Sequence, residues 1–256
     1  MKLQLFLKNN LAIHFYYSDD SAINGKVVVD NLYLIFPGLP QLIEKDFFKD
    51  KMSRKIAFMS VYYYGSYYSG SNFSFTNCQK TVKDAVAFAN NGKGIKTYDN
   101  KMMEWSAKNI SIIGNSFGAS PILTSNVNKK DVKKIILISP LIFVYKSDVA
   151  NVLSRKEVQE LKNFNNNFLG FMKRGYKNIY KGIEKDEWSE YFSGSVVNSK
   201  VRLKETFPPI TIFHGENDDV VKPKNSIFFR DIYKRKVKLN LVKGVGHDFK
   251  ALFKIS

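Results

Sequence analysis

Apolar residues fall in short runs separated by polar turns, and the spacing inside the runs changes along the chain. Residues 3–7 and 11–17 are apolar-rich stretches joined by Lys8, Asn9 and Asn10, which predicts an opening hairpin. Residues 18–26 are a polar turn region. Runs at 31–36, 55–62, 110–113, 134–140 and 209–215 are short and nearly unbroken, as expected for strands covered on both faces. Residues 236–242 alternate like a final strand. Between these runs the spacing turns helical at 41–51, with Leu42, Ile43, Phe47 and Phe48 on one side, and at 77–90, with Val82, Ala85, Val86 and Ala89. Thr76 and Gln79 fit a capping box for the second of these, and Gly92 ends it. Residues 119–127 and 223–233 also read as helices, the latter with Pro223 near its start, where a missing N–H costs little. Residues 102–108 are expected to finish a short helical segment.

Strand and helix alternate, which calls for a mainly parallel, doubly wound sheet with helices on both faces. The rhythm breaks between 145 and 206, where no buried-strand run occurs. There residues 154–172 and 176–191 look helical and carry exposed-looking aromatics, among them Phe164, Phe168, Phe171, Tyr180 and Trp188. The expectation is one domain, 1–256, with 145–206 as a helical insertion that caps a site. The alternative is ordinary helical packing at a sheet edge.

Composition narrows the picture little. With 44% hydrophobic and 25% charged residues, the chain can build a core. No run approaches the roughly 18 apolar residues of a membrane span. The first ten residues lack a signal-peptide core and a small-residue cleavage site, and the single cysteine, Cys78, cannot form an internal disulfide. These features favour the cytoplasm. The net charge of +17 raises the question of an anionic partner. Lysine outnumbers arginine 34 to 6 and the lysines are scattered, so the charge reads as compositional and argues against nucleic acid.

The candidate chemistry sits at strand ends. G-N-S-F-G at 114–118 is a G-x-S-x-G pattern between an apolar run and a helix. A serine lifted off a strand end needs a sharp, strained turn, and the flanking chain passes so close that a β-carbon at Gly114 or Gly118 would clash. Pro37 and Gly38 form a tight loop after the 31–36 run, which can aim a backbone N–H at a developing oxyanion. Asp218 and His247 follow two further strands. In a parallel sheet all such positions share the C-terminal edge. A serine hydroxyl needs a base to take its proton, histidine titrates near neutrality, and an acid holds the imidazole in the right tautomer. Ser116, Asp218 and His247 can fill these roles, with the Phe117 and Leu39 N–H groups as the oxyanion donors. His14 is placed outside the site. The tyrosine-rich loop at 63–73 fits a pocket wall and a packed surface loop equally well. No histidine or cysteine spacing suits a metal and no phosphate-binding glycine loop occurs, so neither metal nor cofactor is expected.

Four segments carry a resemblance. F-P-G-L-P at 36–40, G-N-S-F-G at 114–118, H-G-E-N-D-D-V-V at 214–221 and G-H-D-F at 246–249 resemble the α/β-hydrolase superfamily. The last two are similar to patterns of its prolyl-oligopeptidase-like and dienelactone-hydrolase-like branches. The resemblance implies the α/β-hydrolase fold, with Asp218 as acid, His247 as base and His214 supporting the acid loop. Asp219 is the alternative acid. Departures are Phe36-Pro37-Gly38 where many relatives have His-Gly, and Ala119 where peptidase relatives have glycine. The implied activity is serine hydrolysis of a carboxylic ester or thioester. A small peptidase or amidase, acting on short peptides, uses the same triad. A non-catalytic binding protein can also use the fold.

Overall fold

The computed structural model describes residues 1–39, 48–142, 170, 178–183, 185–192 and 203–253. One mixed sheet runs through them in the order β1-β2-β5-β4-β7-β8-β9-β10. Strands β1 (Lys2–Lys8) and β2 (Leu11–Tyr17) form the expected antiparallel hairpin at one edge. Strands β4 (Lys26–Phe36), β5 (Ile56–Val61), β7 (Met102–Asn115), β8 (Lys134–Ile138), β9 (Ile210–Gly215) and β10 (Val237–Val242) are all parallel to their neighbours in this set. Two short strands, β3 (Ala22–Ile23) and β6 (Lys93–Ile95), pair antiparallel with β4 and β7.

Each unbroken apolar run serves two cores, because successive strand residues face opposite ways. Leu32, Leu34 and Phe36 of β4 join one core with Ile112 and Leu137. Tyr33 and Ile35 join the other with Phe58, Ile113 and Ile136. Helix α1 (Phe75–Asn91) covers the first face through Cys78, Val82, Ala85 and Phe88. Helix α2 (Ala119–Thr124) and α4 (Pro223–Ile232) pack on the same core through Ile122 and Phe229. The short helix α5 (Phe249–Leu252) covers the second face through Leu252.

Two expectations are corrected. Residues 102–108 are strand, not helix: they form the first half of β7, paired with β4 from Lys26 onward and with β6. Met103 and Trp105 face inward while Met102 and Glu104 face out, a period of two. Trp105 Nε1 donates to the Ala89 carbonyl at 2.9 Å, and its ring meets Phe6, Phe15 and Phe88. The cap of α1 is Ser74, whose hydroxyl accepts from Asn77 N–H, rather than Thr76. Gly92 closes the helix at φ 68°, as expected.

Most of the 41–51 and 145–206 expectations lies outside the described residues, including Phe164, Phe168 and Phe171. Helix α3 (Lys185–Phe192) is described. Its Trp188 and Tyr191 are fully buried, and Tyr180 nearly so, although Trp188 and Tyr180 were expected to look outward. Trp188 stacks on Phe73 at 4.8 Å and Tyr191 on Phe75 at 4.6 Å, and both rings contact Phe117. Burying such a ring contributes on the order of 2–3 kcal/mol. Their partners are distant in the chain, so local charge density misled the reading. No helix among the described residues is long and apolar enough to cross a membrane.

Candidate active site

The C-terminal edge of the parallel strands gathers six loops, and the candidate residues lie on four of them. Ser116 follows β7 directly and has φ 48°, in the left-handed region that a residue with a side chain avoids. A 3-10 turn (Ser116–Gly118) leads from it into α2. The crowding expected at the elbow is present. A β-carbon on Gly118 would lie 2.2 Å from the Phe36 carbonyl oxygen, at the end of neighbouring β4. One on Gly114 would lie 2.6 Å from Ile122 Cδ1. The strained turn is braced from behind, where Leu141 N–H donates to the Ser116 carbonyl at 2.8 Å. Ser116 itself is half-buried and Phe117 is buried, its ring set in the aromatic core.

Leu39 sits on the loop after β4, half-buried against the main core. Strand β4 lies beside β7 with Phe36 opposite Gly114, so this loop is delivered to the elbow by register alone. The contact is close: a β-carbon on Gly38 would lie 3.0 Å from Ser116 Cβ.

Asp218 and His247 come together from the loops after β9 and β10. His247 Nδ1 donates to Asp218 Oδ2 at 2.8 Å. Three further donors serve the buried carboxylate. Val220 and Val221 N–H donate to Oδ1 at 3.1 and 2.8 Å, and His214 Nε2 lies 3.2 Å from Oδ2. Burial alone would raise this carboxyl's pKa. Hydrogen bonds from His214, His247 and Val221 N–H, together with the Ser139 hydroxyl, outweigh burial and hold it well below the usual carboxylate range. The Ser139 hydroxyl is buried and makes no hydrogen bond of normal geometry. Ser139 also has a left-handed backbone, φ 41°, at the end of β8. Asp219 is exposed.

His214 is wholly buried under the acid. Its Nε2 lies 2.8 Å from the Val221 carbonyl, an acceptor only, so Nε2 carries a proton. In the neutral ring Nδ1 then accepts from the Ser226 hydroxyl, 2.7 Å away on α4. The two acid–base loops also interlock sterically. A β-carbon on Gly215 would lie 2.2 Å from the Val245 carbonyl oxygen, so glycine is required for the turn that carries His247 to close on β9. His247 itself is partly open to solvent.

The structure thus joins Asp218 to His247 and sets Ser116, Phe117 and Leu39 on adjoining loops of the same edge. Among the described residues no hydrogen bond joins Ser116 Oγ to His247. His14 lies apart, its Nδ1 hydrogen-bonded with the Tyr62 hydroxyl at 2.8 Å. A cleft of about 400 Å³ lined by Lys26, Asn91, Glu104 and Trp105 lies toward the opposite ends of β4 and β7. Sequence reasoning missed Ser226 and Ser139, whose places beside His214 and Asp218 depend on contacts with distant residues. Gly215 was legible as the second position of H-G-E-N-D, although its reason was not.

No protein-family model matches the chain, and no curated protein is matched by sequence. Solved structures do match. Est1E from Butyrivibrio proteoclasticus is similar at 14% identity, covering 96% of this chain and 90% of that one, with a TM-score of 0.56. A bromoperoxidase from Bacillus anthracis is similar at 13% identity over 98% and 95%, TM-score 0.56. The butyrate-bound esterase Est2 of Thermogutta terrifontis is similar at 16% identity over 96% and 85%, TM-score 0.57. The α/β-hydrolase fold, implied by four short motifs, is the fold of this chain.

Proposed function

We propose that this chain, an α/β-hydrolase by fold, is a serine hydrolase that cleaves a carboxylic ester or thioester of a small molecule through an acyl-enzyme. The observation that carries the reading is the 2.8 Å bond from His247 Nδ1 to a buried, four-donor Asp218 on the edge that presents Ser116. That bond fixes the tautomer with Nε2 free to act as base. Ser116 Oγ attacks the substrate carbonyl carbon and its proton passes to His247 Nε2. Asp218 stays ionised and offsets the imidazolium charge. The oxyanion accepts from Phe117 and Leu39 N–H. Collapse of the intermediate expels the alcohol or thiol, which takes the proton from His247. Water then attacks the acyl carbon as His247 takes one of its protons, and collapse releases the carboxylic acid while His247 returns that proton to Ser116 Oγ.

In this reading residues 1–256 are one domain and 145–206 is the insertion that walls the substrate site. Its α3 portion is rooted beneath Phe117 through Trp188 and Tyr191, which supports a fixed wall at that end. The test is intact-mass analysis after exposure to a fluorophosphonate. The esterase 2 of Thermogutta terrifontis is phosphonylated by sarin, which recommends this reagent class. One adduct on the parent chain and none on Ser116→Ala is expected. No adduct on folded protein, with this reagent and with a smaller one, would overturn the reading.

A further inference from the structure

The loop after β5 contains a residue that touches both candidate oxyanion elements. Tyr63 is fully buried, and its hydroxyl donates to the Pro37 carbonyl at 2.9 Å. Pro37 and Gly38 are themselves buried, so this carbonyl needs a partner inside the protein. The same ring meets the Phe117 ring edge-on, 5.5 Å between centroids. One side chain therefore bonds the loop that carries Leu39 and packs against the residue that follows Ser116.

Tyr63 is itself held on every side. Its carbonyl accepts from Ser66 N–H at 2.9 Å and from the Ser66 hydroxyl at 2.7 Å. The next residue, Tyr64, is tied to α1 by its N–H, which donates to Thr81 Oγ1 at 3.0 Å. Phe36 and Phe73 close around the ring, each with centroids 6.4 Å away. Burial pushes the phenol well above its ordinary pKa, so it remains a proton donor across the working pH range.

We propose that Tyr63 is a positioning residue for the oxyanion hole: its hydroxyl, bonded to the Pro37 carbonyl, sets the orientation of the Pro37–Leu39 loop and hence of the Leu39 N–H. This rests on the serine-hydrolase reading above. The physical basis is that an oxyanion donor acts only if it is already aimed at the place where charge develops, and a single misaimed donor costs a large factor in rate. Proline removes one freedom of this loop. The bond to Tyr63 removes another, the rotation of the Pro37–Gly38 peptide, which glycine would otherwise permit. The loop has little slack, because even a β-carbon on Gly38 would lie 3.0 Å from Ser116 Cβ.

The test uses the full chain, with 4-nitrophenyl acetate turnover and the rate of fluorophosphonate labelling. Tyr63→Phe keeps the ring and removes the donor. It is expected to lower kcat/KM and the labelling rate together by about tenfold, a fraction of what losing a whole donor costs. 4-Aminophenylalanine at position 63, which restores an N–H donor, should recover most of both rates. Tyr64→Phe is the control, since it removes a neighbouring tyrosine hydroxyl bonded to Asp84 Oδ2 and leaves the loop alone. Its rates should stay within about twofold, because the bond it removes runs to Asp84 on α1 and not to the Pro37–Leu39 loop. Folded Tyr63→Phe with parent-like rates would overturn the proposal, as would failure of the amino analogue to restore them. If Tyr63→Phe does not fold, 4-fluorophenylalanine at position 63 serves as a second donorless variant. A chain that folds only with a donor there would mark the bond as structural and overturn positioning. An unlabelled parent chain would instead remove the hydrolase reading itself, a result seen without any Tyr63 variant.

Discussion

The two sides of the candidate site are held by different forces. On the β4–β7 side, position comes from crowding. Ser116 is locked at φ 48°, Gly118 lies against the Phe36 carbonyl, and one buried hydroxyl, that of Tyr63, fixes the adjoining loop. On the β9–β10 side, position comes from charge and hydrogen bonding. Asp218 collects two backbone N–H groups and two histidines, and His214 is pinned in turn by Ser226. The difference follows from the chemistry each side is proposed to perform. A nucleophile must be aimed, and steric strain aims it. A base must be oriented and its cation offset, which requires a fixed negative charge that buried donors keep ionised.

Substitutions should therefore separate the two sides. The largest effect is expected from Ser116→Ala, which should lower ester turnover by about 10⁴-fold or more while leaving the Asp218–His247 pair intact. Thermal unfolding should then change little, since alanine keeps the β-carbon and with it the strain of φ 48°. Asp218→Asn comes next, with a loss of about 10³- to 10⁴-fold in kcat, because an amide can donate to Nδ1 and favour the wrong tautomer. A parent-like rate for this variant would break the comparison by showing that the charge is dispensable.

The same residue predicts a pH effect on stability. Its folded carboxyl lies below the ordinary range, so the stabilisation is fully present above the unfolded value near 4 and is lost as pH falls toward the folded value. Denaturant titrations below about pH 4 should show a steep loss in the parent chain and a shallower one in Asp218→Asn. Equal slopes would contradict the four-donor description.

Ser226→Ala should act more gently, leaving His214 Nδ1 without its donor at a cost of about 1–3 kcal/mol in urea unfolding and a few-fold in rate. The smallest effect is expected at Asp219, where the exposed carboxylate should tolerate Asn within about 0.5 kcal/mol and twofold in rate. A loss as large as that of Asp218→Asn would reassign the acid to Asp219.

Much of this was legible in advance. The runs at 31–36, 134–140 and 209–215 became β4, β8 and β9 because an unbroken apolar run bounded by turns has few other ways to be covered. The elbow glycines announced a close approach, and the chain closes to 2.2 Å of where a Gly118 β-carbon would sit. Asp218 and His247 stood out as the acid and the imidazole that follow two late strands. Two of the failures share one reason, partners remote in the chain. The alternation of Met103 and Trp105 was too short to outweigh a helical reading until β4 and β6 were seen to pair with it. Trp188 looked exposed because its shelter, Phe73 and Phe117, lies far away in the chain.

The sequence by itself determined most of the segments that become strands and that the sheet is mainly parallel, and therefore that Leu39, Ser116, Asp218 and His247 lie on loops after strands of one sheet. Local patterning suffices for that, since periodicity and turn residues act over a few positions. Only the tertiary structure decided that β4 lies beside β7, that Gly215 admits the His247 turn, that His214 sits beneath Asp218 and that Tyr63 bonds Pro37. Those are contacts between residues remote in sequence, and they exist only once strand order and register have brought the ends of different strands to within a hydrogen bond of one another.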